Sequence, residues 1–183
     1  MKQSSLLFRK AQKQDLDAVE RIYDRIHALE DAGRMTIGWV TGVYPVRSTA
    51  EAALACDTLY VCETQAQVAA SAIINQQQVD VYANANWRYP AEDSRVLVLH
   101  TLTVDPEHAG CGIGRAFAEF YERCARKMNC EVLRLDTNER NKQARRLYAA
   151  LGYREADLIA CEFNHIPGVR LVLLEKHLQV YII

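Results

Sequence analysis

The sequence predicts a mixed α/β fold built on one central sheet. Three observations lead there. Apolar residues switch between helical and strand spacing along the chain. The second half runs strand, helix, strand, helix, strand, an order that packs helices against a sheet. The 183 residues suffice for one domain with a sizeable core, with no repeat, low-complexity segment or linker to divide them.

"SLLFRKA" (5–11) suits a first strand. Residues 14–31 carry Leu16, Val19, Ile22, Tyr23, Ile26 and Leu29, an apolar stripe at helical spacing. "GRMTIGWVTGVYP" (33–45) breaks that pattern with glycines and a proline. Ser48 and Glu51 have the spacing of a capping box, so a short helix is expected from about Thr49. "TLYVCET" (58–64) and "QVAASAIIN" (67–75) read as strands joined by a turn at Gln65 and Ala66. The polar and aromatic stretch 76–94 has no clear period and is expected to be a long loop. "RVLVLHTLTV" (95–104) is a strand buried on both faces for much of its length. Ile113, Ala116, Phe117, Phe120, Tyr121, Cys124 and Met128 mark one helix face, with Glu119–Arg123 and Glu122–Arg126 pairs on the other. "EVLRLDT" (131–137) is a strand, and "NKQARRLYAAL" (141–151) is a helix stopped by Gly152. "YREADLIACEF" and "GVRLVLLEKHL" form a final hairpin across "NHIPG". The order is β-α-α-β-β-β-α-β-α-β-β.

Composition excludes several roles. Net charge is −1, with both signs well mixed, which gives no general pull toward nucleic acid or an anionic membrane and leaves "ERNKQARR" (139–146) as a local basic site. The N-terminus lacks the apolar run of a signal peptide, and no stretch reaches the ~18 apolar residues of a membrane span. Six cysteines are scattered without CxxC or Cys/His ligand spacing. The expectation is a cytoplasmic protein with free thiols and no metal.

"DPEHAGCGIGRAF" (105–117) places Gly110, Gly112 and Gly114 at alternate positions between a strand and a helix. Glycine permits a tight turn and lets a ligand approach the backbone. A helix N-terminus offers unpaired N–H groups and partial positive charge. Together they make an anion site, most often for phosphate. The amides from Cys111 through Ile113 to Arg115 are the candidate cradle for a pyrophosphate, with the Arg115 side chain adding charge. A P-loop is excluded, because "GIGRAF" lacks its Lys and hydroxyl. A dinucleotide-binding turn would need a third glycine where the chain has Arg115 or Phe117; Asp136, roughly 20 residues on, does stand where a ribose-binding acid belongs.

The glycines are followed by "NKQARRLYAALGY" (141–153). Leu102, Val104, Pro106, Gly112, Gly114, Asn141, Ala144, Leu147, Tyr148, Gly152 and Tyr153 together resemble the signature of the GNAT superfamily of N-acetyltransferases. The motif resemblance covers residues 98–153, and the element order fits nearly the whole chain. It implies a mixed, mostly antiparallel sheet of about seven strands flanked by about four helices. It also implies acetyl-CoA as cosubstrate and an amine acceptor, either a small molecule or a peptide. One position departs from the family: its usual Arg or Gln at the start of the glycine motif is Ala109 here, so that side chain's contribution to pyrophosphate binding is lost or moved.

Acetyl transfer needs a neutral amine, stabilisation of the developing oxyanion and a proton donor for the leaving thiolate. Holding both reactants in place supplies up to about 7–11 kcal/mol. Tyr148 is the candidate acid: a phenol near pKa 10 and a thiol near about 8.5 are close enough to exchange a proton, and the resemblance gives Tyr148 that role. Asn141 caps its helix and, by the resemblance, also serves the cofactor site. Ala144 is small where a bulky residue would crowd a pantetheine. The resemblance further implies that Leu102, Thr103 and Val104 pair with the pantetheine arm through their main chain. His100 is the candidate base, with Glu30, Asp31, Glu92 and Asp93 as alternatives. The acceptor pocket is expected from residues 27–45 and 76–94, where Trp39, Tyr44, Tyr82, Trp87 and Tyr89 are available. The apolar C-terminus "LQVYII" is expected to pack in a core or a homodimer contact. A CoA-binding sensor without turnover is the alternative within the same fold.

Overall fold

The computed structural model describes residues 5–178. Its elements, short 3-10 turns aside, are β1 (Leu7–Lys10), α1 (Leu16–Asp31), α2 (Arg47–Ala55), β2 (Leu59–Thr64), β3 (Gln67–Asn75), β4 (Val96–Val104), α3 (Ile113–Lys127), β5 (Val132–Asn138), α4 (Lys142–Ala150), β6 (Arg154–Phe163) and β7 (Ile166–His177). The strands form one seven-stranded sheet in the order β1-β2-β3-β4-β5-β7-β6. Only β4 and β5 pair in parallel; every other pairing is antiparallel. The parallel pair is joined through α3, the crossover that parallel neighbours require.

Strand alternation sorts the core onto the two faces. Leu97, Leu99, Leu133 and Leu135 point to one face and meet Ile113, Phe117 and Tyr121 of α3, with Tyr148 of α4 in the same cluster. Phe117 and Tyr121 are fully buried, and burying such a side chain contributes roughly 1.5–3 kcal/mol. On the opposite face, α1 and α2 cover β2 through Val19, Tyr23, Ala53 and Val61. The segment 76–94 covers the rest of that face, where Tyr82 packs on Val96, Val98, Val132 and Leu173.

Several local expectations change. Helix α2 begins at Arg47 rather than near Thr49. Its first turn is closed by Thr49, whose hydroxyl accepts the Val46 N–H at 3.1 Å, while Glu51 takes an ion pair from Arg47 at 2.9 Å. In α3, Glu122 turns from Arg126 to Lys176 on β7, 2.7 Å away, and the Arg123 guanidinium lies over the Phe120 ring. Met128 falls just past the end of α3 and is 44% exposed, so it does not extend the apolar stripe. The last hairpin turns at Asn164 and His165, both at positive φ, and β7 starts at Ile166, earlier than the glycine at 168 suggested. The stretch 76–94 is ordered by two 3-10 turns, 80–82 and 93–95. Of the C-terminal "LQVYII", Leu178 is buried, and the remainder lies outside the described residues.

One irregularity shapes the molecule. Parallel pairing between β4 and β5 runs only from Val96↔Val132 to Leu99↔Leu135. Beyond it, β4 stays with β3 (Thr103↔Ser71, Val104↔Ala70) and β5 stays with β7 (Asp136↔Leu173, Asn138↔Leu171). At the parting point β4 has a bulge: His100 pairs with Ile73 and Thr103 with Ser71, leaving one extra residue opposite Ala72. Thr101 sits there at φ +50°, uncommon for a β-branched residue, and the Tyr44 phenol holds its hydroxyl. The two strands therefore part, and a crevice opens between them.

Candidate active site

The crevice leads into a cavity of about 390 Å³. Its wall includes Leu99, His100, Thr101 and Leu102 of β4, Asp136, Thr137 and Asn138 of β5, and Asn141, Ala144 and Tyr148 at α4. The connection 33–46 contributes Ile37, Gly38, Trp39 and Tyr44, and β6–β7 contributes Phe163, Ile166, Val169 and Leu171. Of the aromatics expected in an acceptor pocket, Trp39 and Tyr44 are in this wall. Tyr82, Trp87 and Tyr89 belong to the core beneath segment 76–94.

Tyr148 is 5% exposed, packs edge-on against Tyr153, and lines the cavity. Its hydroxyl has no protein hydrogen-bond partner among the described residues. Burial, with the Asp136 charge adding, pushes this phenol well above its ordinary range. It therefore stays protonated, a hydroxyl able to donate a hydrogen bond. The same shift widens its gap from a thiol, so the close match expected from unperturbed values does not hold in the folded protein.

Asp136 was not among the bases read from the sequence. Its carboxyl is walled in by protein, with its remaining accessible edge on the cavity. Burial pushes its pKa up to about 6, and a 2.8 Å hydrogen bond donated by the Tyr82 phenol opposes that rise only in part. A carboxylate that titrates near neutrality inside a cavity is suited to accept a proton.

His100 lines the same cavity. Its Nε2 lies 3.1 Å from both Asn75 Oδ1 and Gln77 O, both acceptors, which assigns the ring proton to that nitrogen. Burial lowers its pKa to about 4, so the ring is neutral at physiological pH. Glu30, Asp31, Glu92 and Asp93 do not line the cavity. Glu30 accepts the Ile37 and Gly38 amides at 2.8 and 2.7 Å, Asp31 binds Thr41, and Asp93 binds Gln78.

From the cavity, β4 leads to the glycine turn. Thr103 is buried with its hydroxyl on Ser71, and among the described residues no strand pairs with the edge of 100–104 that faces away from β3. Gly110 and Gly112 adopt φ of +78° and +77°, which explains both glycines by conformation alone. Gly114 has no such φ, and an added Cβ would make only ordinary contacts, 3.6 Å from Leu147 and 3.7 Å from Val104. Neither conformation nor packing within the chain calls for glycine at 114. Ala116 is the first α3 residue whose N–H reaches an i−4 carbonyl, that of Gly112 at 3.0 Å. The amides of Ile113, Gly114 and Arg115 thus point out of the helix end. Cys111 and Arg115 are exposed on this turn, as is Ala109. Asn141 caps α4, its Oδ1 accepting the Ala144 N–H at 3.1 Å. Leu102, Asn141, Ala144 and Tyr148 thus meet at the cavity, while Thr103, Val104 and residues 110–115 lie along the strand and turn that lead away from it.

Among the described residues no group of His, Cys, Asp and Glu could hold a metal ion, and no helix is long and apolar enough to cross a membrane.

The mixed seven-stranded sheet with its four helices shares its fold with solved acetyltransferases. A GNAT-family acetyltransferase from Streptococcus agalactiae superposes with a TM-score of 0.78 over 96% of both chains, at 19% identity. A Salmonella typhimurium protein solved with acetyl-CoA as its cofactor gives 0.69 over 97% of this chain and 96% of that one, also at 19% identity. An uncharacterised N-acetyltransferase of Methanocaldococcus jannaschii is 29% identical over 104 residues, 56% of this chain and 42% of that protein's length. The acetyltransferase (GNAT) family profile matches residues 20–153, and the chain belongs to that family.

Proposed function

We propose that this chain, as a single domain over residues 1–183, is an N-acetyltransferase that moves the acetyl group of acetyl-CoA to a primary amine by direct attack. The observation that carries the reading is the meeting of Tyr148 and Asp136 in one cavity where β4 and β5 part. The residues fit the cosubstrate: an unpaired strand edge at 102–104, outward amides at 113–115 and an unobstructed Gly114 run from the cavity to the glycine turn. Acetyl-CoA supplies the acyl group as an activated thioester.

The chain's own residues do the rest. The amides of Ile113, Gly114 and Arg115, with the Arg115 guanidinium, bind pyrophosphate, while the Cys111 amide, expected in the cradle, is taken by His108 O at 3.4 Å. The main chain of Leu102, Thr103 and Val104 orients the pantetheine arm, with Ala144 leaving room and Asn141 holding the start of α4. Asp136, ionised at pH 7, takes the proton from the amine as the N–C bond forms. The C–S electron pair leaves with sulfur, and Tyr148 donates its hydroxyl hydrogen to that sulfur. His100, neutral and fixed by Asn75 and Gln77, is a wall and hydrogen-bonding group rather than the base. All six thiols are unpaired, in keeping with a reducing cytoplasm.

Calorimetric titration with acetyl-CoA, using free CoA and NAD as controls, tests the donor site; amine-dependent release of free thiol tests turnover. Saturable acetyl-CoA binding with thiol release supports the reading. Binding without release from any amine assigns a sensor instead, and binding of NAD alone assigns a dinucleotide site.

A further inference from the structure

The cavity wall has one chemical property that the transfer reaction itself does not require. Among its described lining residues there is no Lys, Arg or Glu. Asp136 is the one acid, and His100, whose pKa burial lowers to about 4, is neutral. Around them the wall is apolar on two sides, with Ile37, Trp39 and Tyr44 from the 33–46 connection and Phe163, Val169 and Leu171 from β6–β7.

That wall has a definite selectivity. An ammonium group entering it meets a carboxylate, which compensates for lost water. An amine that also carries a carboxylate meets no cation among the residues that form the wall, the Arg140 guanidinium reaching only the Gly38 strap, 3.4 Å from where a Gly38 Cβ would lie, and its negative charge is brought into the same small space as Asp136. The 390 Å³ volume is near the lower end of the usual ~300–1,000 Å³ for small-molecule sites and must also hold the thioester end of the donor. One flank is strapped down: Thr36 Oγ1 donates to Arg140 O at 3.1 Å, and Gly38 fits against Asn138 so closely that a Cβ would lie 2.3 Å from its Nδ2. The remaining space suits a ring or a branched alkyl group.

We propose that the acceptor is a compact primary amine whose body is uncharged and apolar, an arylalkylamine or branched alkylamine, and that free amino acids are excluded by their carboxylate. The inference rests on the acetyltransferase reading and specifies its acceptor side.

The test is kcat/KM with acetyl-CoA for pairs that differ by one carboxylate: phenethylamine against phenylalanine, and isopentylamine against leucine. Binding is followed in parallel by quenching of Trp39 emission, with W39F as the blank. The expected result is a preference of about 100-fold or more for the decarboxylated member of each pair, with saturable quenching by phenethylamine and none by phenylalanine. Equal or better use of the amino acids overturns the proposal, as does turnover confined to peptide N-termini or polyamines. If acetyl-CoA binds but neither amine is acetylated or quenches Trp39, the acceptor class is wrong and the donor site stands. If acetyl-CoA does not bind, the functional reading falls, and the quenching pairs alone decide what the cavity accepts.

Discussion

The phenol of Tyr82 donates a 2.8 Å hydrogen bond to Oδ2 of Asp136 across 54 residues of sequence. The bond ties the segment that covers the sheet to the acid that faces the cavity. It also steadies one carboxylate oxygen, Oδ2, while Oδ1 takes no hydrogen bond among the described residues.

Asp136 should govern the acidic limb of the rate profile. Its carboxylate form is required, so kcat/KM should rise with pH through an apparent pKa near the value of about 6. Asp136→Asn, measured from pH 4 to 9, should lose that limb and about 10²-fold or more in kcat/KM. A variant that keeps both would remove Asp136 from the mechanism.

The same group affects stability. Its folded pKa is raised above the unfolded value of about 3.9, so protonation favours the fold. That contribution is complete below about pH 4 and is lost as pH rises through about 6. Asp136→Asn should therefore gain on the wild type by about 2–3 kcal/mol between pH 4 and 7. Urea denaturation at the two pH values checks the sign.

Tyr148→Phe should lower kcat by about 10²-fold and leave the calorimetric Kd for acetyl-CoA nearly unchanged. His100→Gln should keep the acidic limb in place. A limb displaced in that variant would return the base role to His100.

The two kinds of glycine at the turn should separate. Gly112→Ala forces a side chain onto φ +77° and should destabilise by about 1–2 kcal/mol. Gly114→Ala should melt at or above the wild-type temperature, yet bind acetyl-CoA about tenfold or more weakly. Unchanged affinity would mean that no ligand passes over Gly114.

Glu175 is fully buried, accepts the Arg88 and Tyr89 amides and an Arg154 ion pair, and faces the Arg134 cation stacked on Trp87. Glu175→Gln removes the charge that Arg134 needs in the interior and should destabilise by about 3 kcal/mol. Equilibrium unfolding in urea measures it.

Much of this was legible where local chemistry and period agree. The α3 stripe, the alternating strands and the "NKQARRLY" helix each announce themselves within a few residues. So do Gly110 to Gly114 and Tyr148. Asp136 does not. In "VLRLDT" alternation sends Leu133 and Leu135 to one face and Arg134 and Asp136 to the other. Whether that second face is wet depends on segment 76–94, which has no period to place it. The bulge at Thr101 was equally silent, because no glycine marks it. Trp87 and Tyr89 read as pocket aromatics for the same reason: only the docking of their loop makes them core.

The parting of β4 from β5 leaves main-chain donors and acceptors without a strand inside the sheet's own plane. On the proposed reading, a ligand arm laid along 102–104 would replace the missing neighbour, in the manner of strand addition. Anything that binds only the folded chain shifts its unfolding by mass action, about 2.7 kcal/mol at a hundredfold excess over Kd. On the acetyltransferase reading, the melting temperature of this protein should therefore gauge acetyl-donor supply, and its lifetime against heat and proteolysis should rise and fall with that metabolite.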